Sequence, residues 1–379
     1  MSPETILTHA RLVLRDCVME GTVVLRDGVI DEVSPGRSNA ASAIDLDGDF
    51  LLPGIVDLHT DNLERQVQPR LNARWPSRSA MMAHDAQCAA AGVTTVFDAL
   101  CLGDLGFHQD RLRTFLDGVT DLDALSGSGL LKSEHFLHLR CEMPAIDVLA
   151  LVDPVAEHPL VRMISLMDHS PGFGQYADLD RYRALRRKDG ISEASIEHRI
   201  IELTAQRERL RTPNRRALLD RVAGLDLVLA SHDDETEADI AANHADGIRI
   251  AEFPVTLAAA KAAKAVGMDV IMGAPNIVRG GSHSGNVSAA CLMRERAVDA
   301  LASDYVPAAL VEAAFQCVRD TGIPLPEAVA MVSDNAARIA GLRDRGRIEA
   351  GLRGDVVRVR LLGDLPVVRQ VFRAGERVA

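Results

Sequence analysis

The chain has 379 residues, with 42 Lys and Arg against 54 Asp and Glu, and a formal net charge of −12. Hydrophobic residues make up 47% and charged residues 25%, a globular balance that excludes a disordered or collagen-like chain. The acidic excess opposes a phosphate backbone and 3% aromatic content offers few stacking surfaces, so nucleic acid is not an expected partner.

The first fifty residues read as short strands. Ala10–Leu14, Gly21–Arg26 and Val29–Val33 are β-branched runs, and Asp27-Gly28 is a hairpin turn between two of them. Ala43–Phe50 leads into Leu51-Leu-Pro-Gly54. At the other end, Asp355–Leu361 and Val367–Arg373 are again strand-like. We therefore expect residues 1–53 and 345–379 to form one small β-domain, with residues 54–344 inserted between its halves.

The middle alternates. Strands are expected at Ile55–His59, Thr94–Leu100, Phe136–Glu142, Arg162–Asp168, Leu227–His232, Ile248–Phe253, Asp269–Ala274 and Leu301–Asp304. Helices are expected at Ser79–Ala91, Glu193–Arg211, Glu235–His244, Thr256–Val266 and Pro307–Thr321. Eight such strands are the count of a (β/α)₈ TIM-like barrel; an open doubly wound sheet is the runner-up, but no GxGxxG follows an early strand. Ser126–Gly129 is a loop, and 188–216 is a charged helical hairpin over the barrel rim.

The six cysteines form no CxxC pair, which suits reduced thiols. No apolar run of about 18 residues and no basic leader is present, so neither membrane insertion nor secretion is expected, and the cytoplasm is the expected location. Whether the chain forms a homo-oligomer is left open.

Position carries the functional signal, because barrel chemistry sits where strands end. Five apolar runs deliver a polar residue there. They are Val56-Asp-Leu-His59-Thr-Asp61, Leu139-Arg-Cys-Glu142, Met167-Asp-His169, Ala230-Ser-His232 and Ala302-Ser-Asp304. Imidazole and carboxylate are the ligands zinc takes when thiolates are absent, and this many suffice for two ions. The candidate metal ligands are thus His59, Asp61, Glu142, His169, His232 and Asp304, with Glu142 bridging. Asp304 is also the candidate proton carrier for a metal-activated hydroxide. Ion pairing of Glu142 with Arg140, helix capping by Asp304 and an orienting role for Asp61 are the plainer alternatives. Asp57 is expected deeper in the barrel. His9, His84, His108, His158, His198 and His244 read as structural.

Leu51-Leu-Pro-Gly-Ile-Val-Asp-Leu-His59, with β-structure from both termini, resembles the first barrel strand and the layout of the amidohydrolase superfamily. His-Thr-Asp-Asn62, Leu-His-Leu-Arg-Cys-Glu142, Ser-Leu-Met-Asp-His169-Ser-Pro-Gly and Gly273-Ala-Pro-Asn276 resemble one branch of it. That branch comprises the α-D-ribose 1-methylphosphonate 5-triphosphate diphosphatases of phosphonate utilisation. The resemblance spans essentially the whole chain and implies a metal-dependent hydrolase barrel with a small β-sandwich. It implies hydrolysis of a ribose 5-triphosphate to the 5-phosphate and pyrophosphate by a metal-bound hydroxide. It also implies two divalent ions, Zn²⁺ with Mn²⁺ or Fe²⁺ as substitutes. His59 and Asp61 would hold the more buried ion, Glu142 would bridge, and His169 and His232 would hold the second. Asp304 would contact the buried ion. The alternative on the same scaffold is an amidase, deaminase or cyclic-imide hydrolase.

An anionic substrate needs donors. The Gly-rich stretch 273–286, expected as a loop opening a helix at Val287, offers Asn276, Arg279, Ser282, His283 and Ser284. Gln175 and Tyr176 follow His169 and could meet the sugar. Arg65 and Arg70 are weaker candidates for phosphate contact, and Lys132 reads as structural.

Overall fold

The computed structural model of the protein describes residues 4–70, 73–103, 105, 109–282 and 285–379. The expected residues His108, His283 and Ser284 lie outside the described residues. The N-terminal segment forms β1 (Thr5–Val13), β2 (Val18–Arg26), β3 (Val29–Pro35), β4 (Ile44–Asp45) and β5 (Phe50–Pro53). The barrel strands follow as β6 (Ile55–Thr60), β7 (Val93–Leu102), β8 (Glu134–Glu142), β9 (Val161–Met167), β10 (Val228–His232), β11 (Ile250–Glu252), β12 (Asp269–Gly273) and β13 (Ala300–Ala302). The chain ends in β14 (Val356–Leu362), β15 (Leu365–Arg373) and β16 (Glu376–Arg377).

The terminal strands make one sheet in the order β16-β15-β14-β5-β1-β2-β3, with β4 beside β1. Leu7, Leu12, Leu25, Leu51, Val356 and Phe372 share one buried cluster, so strands from both chain ends close over a common core. The second sheet is parallel and runs β6 to β13 in chain order. A bridge between Thr60 and Asp304 joins its two edges. All eight barrel strands feed one apolar cluster, including Val56, Phe97, Phe136, Met163, Ala230, Ile250, Ile271 and Ala300. The helix Asp334–Ile339 packs into that cluster at the end where the strands begin, since the Val56 N–H donates to the Val332 carbonyl at 3.0 Å. Closing that end leaves the C-terminal mouth as the site of access. No helix among the described residues is long and apolar enough to cross a membrane, and all six cysteines are free.

Each barrel strand falls within two residues of its expected bounds. The reason is that strands covered on both faces read as short, mainly apolar and β-branched runs: every residue of β6 and β7 is buried, and the few polar ones, such as Asp57 and Asp98, are buried with them. The charged region differs. Its hairpin consists of the helices Leu179–Lys188 and Glu193–Val222, the second continuing through Pro213 well past the expected Arg211. Asn214 Nδ2 anchors it by donating to the Met143 and Ala145 carbonyls at 2.8 and 2.9 Å. Tertiary bonds thus hold a helix that local propensity would end. Lys132 Nζ donates to the Val378 carbonyl at 2.6 Å, a structural tie between barrel and C-terminus.

Gly54 sits where β5 passes into the barrel. A Cβ there would lie 2.4 Å from Thr94 Oγ1 and 2.6 Å from Asp355 Cβ. Gly54→Ala should therefore destabilise the protein by about 1–3 kcal/mol through overpacking. Urea unfolding will measure this, and an unchanged midpoint would refute it.

Candidate metal centre at the barrel mouth

The strand ends enclose a cavity of about 360 Å³. His59, Asp61, Glu142, His169, His232 and Asp304 all line it, so the structure brings every expected ligand to one place. His169 follows the fourth barrel strand and His232 ends the fifth, as counted from the sequence.

The histidines are arranged in parallel ways. Glu252 Oε1 holds His59 Nδ1 at 2.8 Å, which turns Nε2 toward Asp61 Oδ1 at 3.5 Å. Glu142 Oε1 holds His169 Nδ1, which turns Nε2 toward Asp233 Oδ2 at 3.5 Å. His232 lies between, with Nδ1 at 3.2 Å from Asp233 Oδ2 and Nε2 at 3.8 Å from Glu252 Oε2. A carboxylate on one ring nitrogen fixes the tautomer and aims the other nitrogen, the usual support of a metal-binding imidazole. Two groups of donor atoms are compact enough to share an ion at this mouth, His59-Asp61-Asp304 and His169-His232-Asp233; a third joins His59, His232 and Glu252. Glu142 belongs to none of these groups. Both its oxygens face His169, since Oε2 also accepts from the His169 backbone N–H at 3.2 Å. Its neighbour Arg140 pairs instead with Asp61 Oδ1, at 2.7 Å.

Backbone strain helps aim these groups. Asp233, Phe253 and Asp304 follow or end barrel strands and have left-handed φ values of 56°, 54° and 56°. Non-glycine residues adopt this region at a cost, and it concentrates at functional sites. The Phe253 ring meets the rings of His59 and His232 at 5.0 and 5.4 Å, forming an apolar wall beside them. At Asp304 the turn is held by the strand seam: its N–H donates to the His59 carbonyl at 2.9 Å and its own carbonyl accepts from the Asp61 N–H at 2.5 Å.

The electrostatics follow from burial and pairing. Burial alone would depress the His59 imidazole, but the charge of Glu252 and the bond to Asp61 outweigh it and raise the pKa to about 10. Burial is likewise overcome at His169, where Glu142 and Asp233 raise it to about 9. Against its own desolvation, Asp61 is held well below the usual carboxylate range by Arg140 and His59. The donor set fits divalent cations: His169 Nε2, both ring nitrogens of His232 and Asp233 Oδ2 are buried without a hydrogen bond. Burying polar atoms in this state is costly, and bound cations would satisfy them.

A second buried histidine cluster shows the contrast. His84 Nε2 and His135 Nδ1 share Asp98 at 2.6 and 2.8 Å, His135 Nε2 reaches Asp85 at 3.2 Å, and His84 Nδ1 meets Asn62 Nδ2 at 2.9 Å. Every ring nitrogen has a hydrogen-bond partner here, in contrast to the mouth, although the donor atoms of His84, Asp98 and His135 also lie close together. Burial opposes the His135 charge, yet Asp98 and Asp85 raise its pKa to about 9. The unfolded chain binds that proton only below about pH 6.5. The stabilisation is thus complete below pH 6.5 and lost as pH rises through 9, on the order of 3 kcal/mol. Denaturation midpoints across that window should fall in the wild type and fall less in His135→Gln; parallel curves would refute the assignment.

Among the expected substrate contacts, Gln175, Tyr176, Asn276, Arg279 and Ser282 line the cavity. The stretch 273–286 departs from expectation. Asn276 stands on a short helix, Ala274–Val278, begun directly by β12, and the next helix starts at Ala289 with Ser288 as its cap. Asn276 Oδ1 accepts from the Ala289 N–H at 3.0 Å and so ties the two together. Pro275 suits a helix's first turn, which the glycine-rich context obscured. Arg65 and Arg70 do not line the cavity; Arg65 donates to the Tyr305 carbonyl at 2.8 Å. Arg111, Arg140, Arg186 and Arg279 do line it. Arg186 arrives on the helix Leu179–Lys188 and stacks over Tyr176 and Tyr182. Asp57 is buried below the mouth, where Oδ1 accepts from the Ser303 and His59 N–H groups at 3.0 and 3.3 Å. Glu252 and Asp233 escaped sequence reasoning. The available signal was the same as for the others, an apolar run ending in an acid at Ile250-Ala-Glu252, and an Asp directly after His232.

No protein-family model matches the chain. The alpha-D-ribose 1-methylphosphonate 5-triphosphate diphosphatase of Escherichia coli (strain K12) is 40% identical over 376 residues, 98% of this chain and 100% of that protein. The L-hydantoinase of Paenarthrobacter aurescens is 29% identical over 98 residues only, 25% of this chain and 20% of that one. Among solved structures, a Xaa-Pro dipeptidase superposes with a TM-score of 0.66 at 14% identity, covering 99% of each chain. The N-acetyl-D-glucosamine-6-phosphate deacetylase of Mycobacterium smegmatis gives 0.65 at 16% identity, covering 100% of each. A crystal structure described as an amidohydrolase gives 0.62 at 16%, covering 99% of this chain and 98% of that one. These likenesses establish the fold, and the full-length relative establishes the family. With its barrel, terminal β-sheet and ring of His and Asp at the strand ends, the chain belongs to the α-D-ribose 1-methylphosphonate 5-triphosphate diphosphatases.

Proposed function

We propose that the protein hydrolyses α-D-ribose 1-methylphosphonate 5-triphosphate to the 5-phosphate and pyrophosphate, as a cytoplasmic enzyme of phosphonate catabolism. The observation that carries this reading is a mouth holding two donor groups suited to cations and lined by four arginines, on a chain 40% identical to a diphosphatase throughout. His59, Asp61 and Asp304 would hold one divalent ion, and His169 and His232 a second, with zinc the expected metal and Mn²⁺ or Fe²⁺ as substitutes. Such ions, when bound, neutralise oligophosphate charge and lower the pKa of water. The chain's own residues do the rest. Glu252 orients His59 and Glu142 orients His169. Arg279, Asn276, Ser282, Gln175 and Tyr176 contact the phosphates and the sugar, and Phe253 keeps one side of the histidine cluster dry. Asp304 takes the proton from the attacking water and returns it to the departing oxygen.

The test is a substrate panel given to protein loaded with Zn²⁺ or Mn²⁺. Pyrophosphate release from ribose 5-triphosphates is the expected result. Turnover of hydantoin, dihydroorotate or N-acyl amino acids without pyrophosphate release would overturn the reading in favour of amide or cyclic-imide hydrolysis.

A further inference from the structure

We infer that Asp233 is a metal ligand, completing a three-residue site with His169 and His232. The inference rests on the reading that the mouth binds divalent cations, and goes beyond it by adding a residue from the turn after β10.

Distances separate a ligand from an ion-pair partner. A charge-assisted N–H···O bond is about 2.7–2.9 Å long. The carboxylate–imidazole pair of Glu252 with His59 has that character, at 2.8 Å. Asp233 Oδ2 does not: it stands 3.5 Å from His169 Nε2 and 3.2 Å from His232 Nδ1. Two ligand atoms each about 2.05 Å from a tetrahedral zinc lie about 3.3 Å apart. The Asp233 contacts therefore match the edges of a coordination polyhedron better than they match hydrogen bonds. All three atoms are buried and lack a hydrogen bond, although each is a strong polar group. A plain salt bridge would have closed that gap.

The backbone around Asp233 is built to hold this aim. Its φ of 56° bends the chain straight after β10, and its N–H donates to the Glu252 carbonyl at 2.9 Å. Gly174, from the turn after His169, packs against it so closely that a Cβ would lie 3.2 Å from Asp233 Cβ. Two loops from neighbouring strands thus fix one carboxylate over two imidazoles. His169 is itself committed in orientation, since Glu142 occupies its Nδ1.

The experiment compares wild type, Asp233→Asn and Asp233→Ala as full chains. Metal per chain is measured by elemental analysis after Zn²⁺ loading and gel filtration. Ligand fields are read from the visible absorption of Co²⁺-loaded protein, and folding from circular dichroism. Both variants should lose one equivalent of zinc relative to wild type, and the intensity of one tetrahedral Co²⁺ centre. If Ala disturbs folding, Asn, which keeps the shape, decides. Variants that match wild type in zinc content and Co²⁺ spectrum would overturn the inference while leaving the metal reading intact. A wild type that retains no metal would instead overturn the underlying reading, and the inference with it.

Discussion

Asp304→Asn should lower kcat for pyrophosphate release by about 10²–10⁴-fold, the usual worth of a positioned acid–base group, with a smaller change in KM. Asparagine preserves the size of the side chain but cannot take up a proton. The backbone will tolerate it, because Asn accepts left-handed φ at least as readily as Asp, and φ here is 56°. The N–H and carbonyl that bind His59 and Asp61 are main-chain groups and survive the change. Stability should therefore stay close to wild type, which separates the effect from loss of structure, and the metal content of the loaded variant separates loss of proton transfer from loss of the ion. Single-turnover assays with saturating substrate will measure the effect. A variant within tenfold of wild type would remove Asp304 from the proton path.

The second large effect concerns Glu252, whose carboxylate is fully buried. It accepts from His59 Nδ1 at 2.8 Å and from Ser165 Oγ at 2.8 Å, and Ser165 in turn meets His138 Nε2 at 2.5 Å. Despite desolvation, His59 and His138 hold its pKa well below the usual range, so it is ionised. Glu252→Ala leaves the His59 imidazole with no acceptor on Nδ1 in a space closed to water. Breaking a buried charged pair in this way costs about 3–5 kcal/mol. Urea unfolding of the metal-free protein is the measurement, and a loss below 1 kcal/mol, well under the roughly 3 kcal/mol floor for such pairs, would contradict the network. Glu252→Gln keeps an oxygen for the His59 N–H but not the charge. It should retain most of the stability while weakening zinc by about 10–100-fold, the typical worth of a supporting carboxylate. Chelator competition will show this, and unchanged affinity would mean that Glu252 serves the fold alone.

Much of the architecture is legible in the chain itself. Thr94–Leu100 reads as a strand because it is a short, mainly apolar and β-branched run, the pattern of a strand covered on both faces, and every residue of Val93–Leu102 is buried. His59, His169, His232 and Asp304 stand out because such runs end in them. The helix Glu193–Val222 is less legible. Pro213 argues locally for a stop, and the bonds that override it come from Met143 and Ala145, about seventy positions earlier. Glu252 is one of 54 acidic residues until the fold sets it 2.8 Å from a histidine 193 positions away.

The net charge of −12 shows where the division lies. Composition determined that the chain is globular and acidic. Local pattern determined eight strands and which side chains they deliver, because burial and periodicity act over a few neighbouring residues. Which charged groups meet at the mouth was decided by the tertiary structure alone. The fold withdraws Asp57 into the strand seam, pairs Asp61 with Arg140, and brings Arg111, Arg186 and Arg279 to the cavity from three different segments. Coulombic and coordination energies depend on separations of a few ångströms between residues far apart in the chain, and such separations exist only once the chain has folded.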